Sequence, residues 1–286
     1  MGALTWPVLA AVLCGALLHA SWNALIKGGS DKALDTALIH GLGLVIALPV
    51  VAVVGLPPKS AWPYLAASMV VHLGYYVALV GAYRDGDLGL TYPVMRGLAP
   101  LLVAAASAAV IGEPLAGAAW AGVLAVSVGV IAIGLSPGSV GGQPAKALRY
   151  ALANAAIIAL YTVIDGLGVR AAGHALSYVA TLFLFEGLPY FALVMWRRAG
   201  QREAALRYMA SRWKLALAGT AASFGSYAIA LWAMTQAPVA MVAALRETSV
   251  LFAAAFGALW LKEGFGALRA AGTVLVVAGV VTLRLA

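Results

Sequence analysis

Charge is what this sequence has least of: Asp, Glu, Lys and Arg together make up 10% of its 286 residues, against 64% hydrophobic ones. Soluble domains carry roughly a quarter charged residues, so that class is excluded and the chain reads as a membrane protein. No long polar block could fold as a separate soluble domain, and one membrane-embedded unit is expected. Cysteine is nearly absent as well. Cys14 is the only one, which excludes an internal disulfide and leaves no second thiol for a cysteine-based metal site. No nucleophile with a matching base and no phosphate-binding loop is visible. The four histidines (His19, His40, His72 and His174) fall on four different elements at no metal-ligand spacing. No cofactor, no metal, no ATP hydrolysis and no enzymatic activity are therefore expected. No Lys or Arg precedes the first apolar run at Leu4, which argues against a cleaved signal peptide and for a retained first helix.

What charge there is sums to +8, and its basic residues sit in short segments between apolar runs. There they meet anionic lipid headgroups, so the expected partner is membrane lipid and not nucleic acid. With proline, glycine and charge clusters as punctuation, ten runs are long enough for the roughly 20 residues a membrane crossing needs: 5–26, 36–56, 62–83, 89–110, 115–135, 148–169, 176–196, 212–236, 238–260 and 265–284. They are too long, and too little alternating, for barrel strands, so an all-α membrane protein with ten transmembrane helices is expected.

The stretch Arg96 to Val130 recurs without a gap as Arg246 to Val280, at an offset of 150 residues. Arg96 returns as Arg246, Glu113 as Glu263, Gly122 as Gly272 and Gly129 as Gly279. Such matches at one fixed offset point to internal duplication. The repeated block covers spans four and five, then nine and ten, so each repeat is five helices long: residues 1–140 and 141–286. Five is odd, so the second half enters the membrane from the opposite side. Such inverted repeats in transporters place the binding site between the halves near the midplane. The side holding both termini carries Lys59, Arg170 and Arg284, whereas the other carries 13 basic residues from Lys27 to Arg269. By the positive-inside rule the second side is cytoplasmic and both termini lie outside.

The string Ala109-Val110-Ile111-Gly112-Glu113-Pro114, followed by Gly122 and Gly129, resembles the repeat of the drug/metabolite transporter superfamily, EamA branch. Trp260-Leu261-Lys262-Glu263-Gly264 with Gly272 and Gly279 looks like its second copy. The aromatic third span is also similar to that of YddG-type bacterial amino-acid exporters. The resemblance implies two inverted five-helix repeats in a bacterial-type inner (plasma) membrane. It also implies alternating-access export of small metabolites, amino acids foremost, through a central cavity. An anionic-metabolite antiporter is the rival within the superfamily, and an intramembrane enzyme or helical scaffold the rival outside it. A duplicated chain can build a whole pathway alone, so a monomer is expected.

Polar residues inside spans are candidates for function. His72, Tyr75, Tyr76 and Tyr83 share one face of the third span, either as a substrate-binding wall or as an interfacial tyrosine belt, which Tyr83 fits best, with His72 a satisfied packing residue. Tyr92 and Arg96 share a face of the fourth span between Pro93 and Pro100. Arg96 could hold a substrate carboxylate, snorkel or pair internally, while Arg246 reads more as structural. Trp22 and Asn23 in the first span, Tyr161 in the sixth, and Ser223 and Tyr227 in the eighth complete the candidate substrate site. Asp165 reads as a solvated helix end. Glu186, mid-span with no basic neighbour in sequence, is a candidate proton-coupling site or a packing residue. Pro49 and Pro189 are candidate hinges in matching spans or simple kinks. Glu113 and Glu263 read as helix caps, the repeated glycines as helix-packing points, and 198–211 as a headgroup-bound connector rather than a gate.

Overall fold

The computed structural model describes residues 4–85, 88–135, 144–260 and 266–286; within these, the side chains of residues 27, 79–85, 88–92, 144–147 and 257–260 lie outside the description. Among the described residues there is no strand. The chain is a bundle of helices, as an apolar backbone in lipid must be when every N–H and C=O needs a partner within its own segment. Ten rods follow in order: α1 (Trp6–Lys27), α2 (Lys32–Gly41) with α3 (Gly43–Val54), α4 (Trp62–Asp85), α5 (Leu88–Ala106), α6 (Gly117–Gly134), α7 (Pro144–Ala172), α8 (Ala175–Phe185) with α9 (Gly187–Arg197), α10 (Arg202–Gln236), α11 (Val239–Arg246) with α12 (Ser249–Trp260), and α13 (Ala267–Leu285). Among the described residues, nine segments are long and apolar enough to cross a membrane. The tenth rod, α4, has 24 residues, about 36 Å at 1.5 Å per residue. The chain is a multi-pass membrane protein.

Three spans are bent or broken where hydrophobicity alone predicts continuous rods. Span two turns at Leu42 and span seven at Glu186. The two bends cross each other: α2 runs along α9 and α3 along α8, and a Cβ on Gly187 would meet the His40 carbonyl oxygen at 2.1 Å. Pro189 follows its bend by three residues, and its missing N–H leaves the carbonyl four residues earlier, at Phe185, without the usual helical donor. Pro49 lies inside α3, seven residues past Leu42. Span nine breaks at Glu247-Thr248, where Glu247 and Thr248 N–H groups reach back only three residues, to Ala244 and Leu245. The Thr248 hydroxyl takes the Leu245 carbonyl as well, at 2.7 Å.

α6 and α13 pack antiparallel and reciprocally. A Cβ on Gly129 would stand 2.7 Å from the Gly272 carbonyl oxygen, and one on Gly272 2.7 Å from that of Gly129; Gly122 and Gly279 face each other in the same way. Only hydrogen fits at these four points, so the glycines are helix-packing points. α5 ends in a wide turn, Ser107–Ile111, closed by Gly112 at φ +74°, the left-handed conformation that favours glycine after a helix.

Two polar segments depart from the expected layout. α10 starts at Arg202, ten residues before the predicted 212. Its polar first turns are barred from hydrocarbon but not from helix, and Glu203 and Arg207 pair across one turn at 3.3 Å. The stretch 198–211 is also more than a connector. Arg198 pairs with Asp31 at 2.6 Å and Arg212 with Asp35 at 2.7 Å. The Tyr208 hydroxyl donates to Asp35 and accepts from the Asp31 N–H. At the opposite end of the bundle, Glu113 caps a helix as expected, but it is α11 and not the following α6. One of its oxygens accepts from Val239 N–H at 3.1 Å, and the other pairs with Arg170 at 2.8 Å. Arg170 in turn donates to the Met234 carbonyl. Glu263 and the turn residues Gly86 and Asp87 lie outside the described residues.

Candidate functional site

The residues α4 places on one face meet residues from six other rods around a central cavity of about 50 Å³. Its lining includes Trp22 from α1, His72, Tyr75 and Tyr76 from α4, Tyr161 from α7, Glu186 from the bend of span seven, and Ser223 and Tyr227 from α10. All eight were legible as candidates. At the roughly 10–15 Å³ that a single water needs, this space holds a few waters and no amino acid, so the site is nearly closed.

Aromatic rings build the wall. His72 stacks on Tyr161 with centroids 4.4 Å apart and meets the edge of Tyr227 at 6.1 Å. Trp22 stands edge-on to His40 at 5.7 Å. Tyr76 packs on Tyr190 at 4.9 Å, and its hydroxyl bonds His40 Nδ1 at 2.9 Å. His72 is fixed from its own helix, with Nδ1 3.0 Å from the Ser68 hydroxyl. Trp22 is thus buried in the bundle.

Glu186 has no lysine or arginine within ion-pair distance among the described residues, but two imidazoles flank it. His40 Nδ1 lies 3.7 Å from one carboxylate oxygen and His72 Nε2 4.0 Å from the other. Both contacts are longer than a hydrogen bond, so the carboxylate faces the two rings at ion-pair range only. His40 carries no sequence signal for this role. It stands on a helix with no other member of the site, and only the crossing of the bends at Leu42 and Glu186 brings it in.

Of the readings open for Arg96, the structure shows internal pairing, whereas Arg246, read as more structural, borders the cavity. Arg96 is buried, with Nε 2.8 Å from a Glu247 oxygen and Nη2 donating to the Ser249 hydroxyl at 3.4 Å. It borders a second space of about 10 Å³ beside Tyr161 and Ile158. The break at Glu247-Thr248 is what turns Glu247 onto Arg96. Arg246 lines both spaces, with its guanidinium 5.3 Å over the Tyr227 ring. Asp165, expected at a solvated end, is fully buried. It accepts from the Tyr178 hydroxyl at 2.8 Å and from the Tyr227 hydroxyl through its other oxygen. Seven residues carry the helix from Asn154 to Tyr161 and four more to Asp165, so α7 reaches three layers. Asn154 bonds Met95 on α5 and Asp165 bonds α8 and α10, leaving Tyr161 to face the cavity. Asn23 is outside the lining, its amide bonded to the His19 carbonyl at 2.8 Å. The Tyr92 side chain lies outside the described residues. His19, Phe183 and Ser226 complete the lining.

Residues 145–285 match the model of the EamA-like transporter family. No curated protein matches the chain. A solved crystal structure superposes with a TM-score of 0.76 at 21% identity, covering 96% of this chain and 98% of its own, a likeness that speaks to the fold. Over residues 145–285, this chain is therefore similar to the EamA-like transporter family.

Proposed function

We propose that this protein is a transporter of the drug/metabolite superfamily. In this reading it exports small amphipathic metabolites, amino acids foremost, by alternating access through the central cavity. The observation that carries this reading is the cavity itself. It lies where both five-helix halves meet, is walled by aromatic rings, and has a cation at one part of its lining and a carboxylate at another. Aromatic faces suit an apolar side chain and the charged groups its polar end. The antiparallel, reciprocal packing of α6 on α13 supports inverted repeats. A two-fold relation between halves requires that residue i of one meet j of the other and j meet i.

Both ends of the pathway are tied across the halves. Asp31 and Asp35 hold Arg198 and Arg212 at one end, and Glu113 holds Arg170 and the α11 N-terminus at the other. With both sets made, the cavity is closed; opening to either side breaks one set and keeps the other. The bends at Leu42 and Glu186, with Pro189 beside the second, are the places for that motion. Glu186 between its two imidazoles is the place for a coupling proton. Charge disfavours the antiporter of anionic phosphates, because Glu247 neutralises Arg96 and, among the described residues, leaves the cavity one guanidinium, Arg246, to meet a dianion.

Purified protein in liposomes, offered labelled amino acids and labelled sugar phosphates with and without a proton gradient, separates the readings. Amino-acid flux that responds to the gradient is expected. Sugar-phosphate flux alone would favour the antiporter, and no flux from either panel would revive an enzyme or scaffold. His72→Ala or Tyr76→Ala should lower the amino-acid flux in folded protein; wild-type flux in both would remove α4 from the site.

A further inference from the structure

One guanidinium in the cavity, that of Arg246, has no ion-pair partner among the described residues. Arg246 ends α11 where the backbone breaks, so it reaches the cavity from the tip of a half-helix. Among the described residues it makes no hydrogen bond and no ion pair, and it is only partly buried. The carboxylates nearby are all engaged. Glu247 is held by Arg96 at 2.8 Å. Asp165 accepts from Tyr178 and Tyr227, and Glu186 stands between His40 and His72. The Tyr227 ring beneath Arg246 is itself fixed, because its hydroxyl is tied to the fully buried Asp165. The guanidinium is therefore held over the Tyr227 ring, and its donor edge meets no protein acceptor among the described residues.

A charged group in a poorly solvated site is costly without a partner, and the planar fork of arginine matches a carboxylate with two parallel bonds. We propose that Arg246 binds the carboxylate of the transported molecule. The site would then discriminate an amino acid from the amine that lacks the carboxylate, and Asp165 would act as a positioning residue through Tyr227. The repeat makes this an asymmetric device. Arg96, the mate of Arg246, is already satisfied by Glu247, so two duplicated arginines yield one anion site. This inference rests on the transporter reading above.

The test uses full-length protein in liposomes with two matched pairs of probes: leucine and isopentylamine, and phenylalanine and phenethylamine. Wild type is expected to carry the amino acids in preference to the amines. Arg246→Ala should cut amino-acid uptake about 10- to 100-fold, the range for losing hydrogen bonds to a charged group, and leave amine uptake unchanged. Arg246→Lys, which keeps the charge but not the fork, should recover part of the loss. Asp165→Asn should raise the KM for amino acids and not for amines. An equal fall for amines and amino acids, or no fall for either, in a variant with a wild-type unfolding midpoint would overturn the assignment while the transporter reading stands. Wild-type liposomes that carry none of the four probes would instead overturn the amino-acid reading, and this inference with it.

Discussion

Arg96 and Glu247 are each nearly inaccessible, with side chains 7% and 5% exposed, and a buried pair of this kind is worth most when complete. Replacing both partners with apolar groups of similar size is often neutral, but removing one strands the other's charge at a cost of about 3–5 kcal/mol. Arg96→Ala and Glu247→Ala should each lower the unfolding midpoint in detergent markedly, whereas the double variant Arg96→Met with Glu247→Leu should recover most of it. Additive losses in the double variant would mean the two charges do not depend on each other. Glu186 is a different case, a carboxylate with imidazoles and no guanidinium. Glu186→Gln removes the group that can bind and release a proton but keeps its size. It should abolish the response of amino-acid flux to a proton gradient while leaving exchange without a gradient measurable; a full response in the variant would exclude Glu186 as the coupling site.

Helices in this bundle are held by contacts that leave no room for change. At α6 and α13 four glycines bring two backbones together, as suits helices in lipid, where close packing replaces the hydrophobic effect as the driving force. Gly129→Ala or Gly272→Ala forces the backbones apart and should cost about 1–3 kcal/mol, as overpacking does, read as a lower unfolding midpoint. Gly117→Ala, where an added Cβ meets nothing, is the control expected to be silent. Between α2 and α10 the contact is ionic. Asp35 has a side chain 4% exposed against 25% for Arg212, so the pair is shielded enough to couple. A double-mutant cycle on Asp35→Asn and Arg212→Gln, read in transport rate and in thiol labelling of a cysteine placed at Ser226, should give a coupling of about 0.5–3 kcal/mol. Increased labelling from the Arg212 side is expected if this contact closes that end; unchanged labelling would make the pair a fixed strut.

At the scale of the whole molecule, basic residues crowd one end of the bundle, where Arg198, Arg207 and Arg212 stand on and beside the first turns of α10. If that end faces the cytoplasm, a fluorescent protein fused after Ala286 stays dark in a bacterial host and an alkaline phosphatase fusion is active; the reverse pattern inverts the orientation. The sequence by itself determined the class, the helical rods and much of the cavity wall. Hydrophobic runs report membrane crossings directly, and helical spacing puts His72, Tyr75 and Tyr76 on one face whatever surrounds them. Tertiary structure alone decided which polar groups are partners. His40 joins Glu186 only because two bent spans cross, and Glu113 reaches a helix 126 residues away. Arg96 and Arg246 look alike in a repeated sequence, but one meets Glu247 and the other lines the central cavity. Spacing along a helix fixes a direction, and a partner for a buried charge lies on another helix, at a distance no single span encodes.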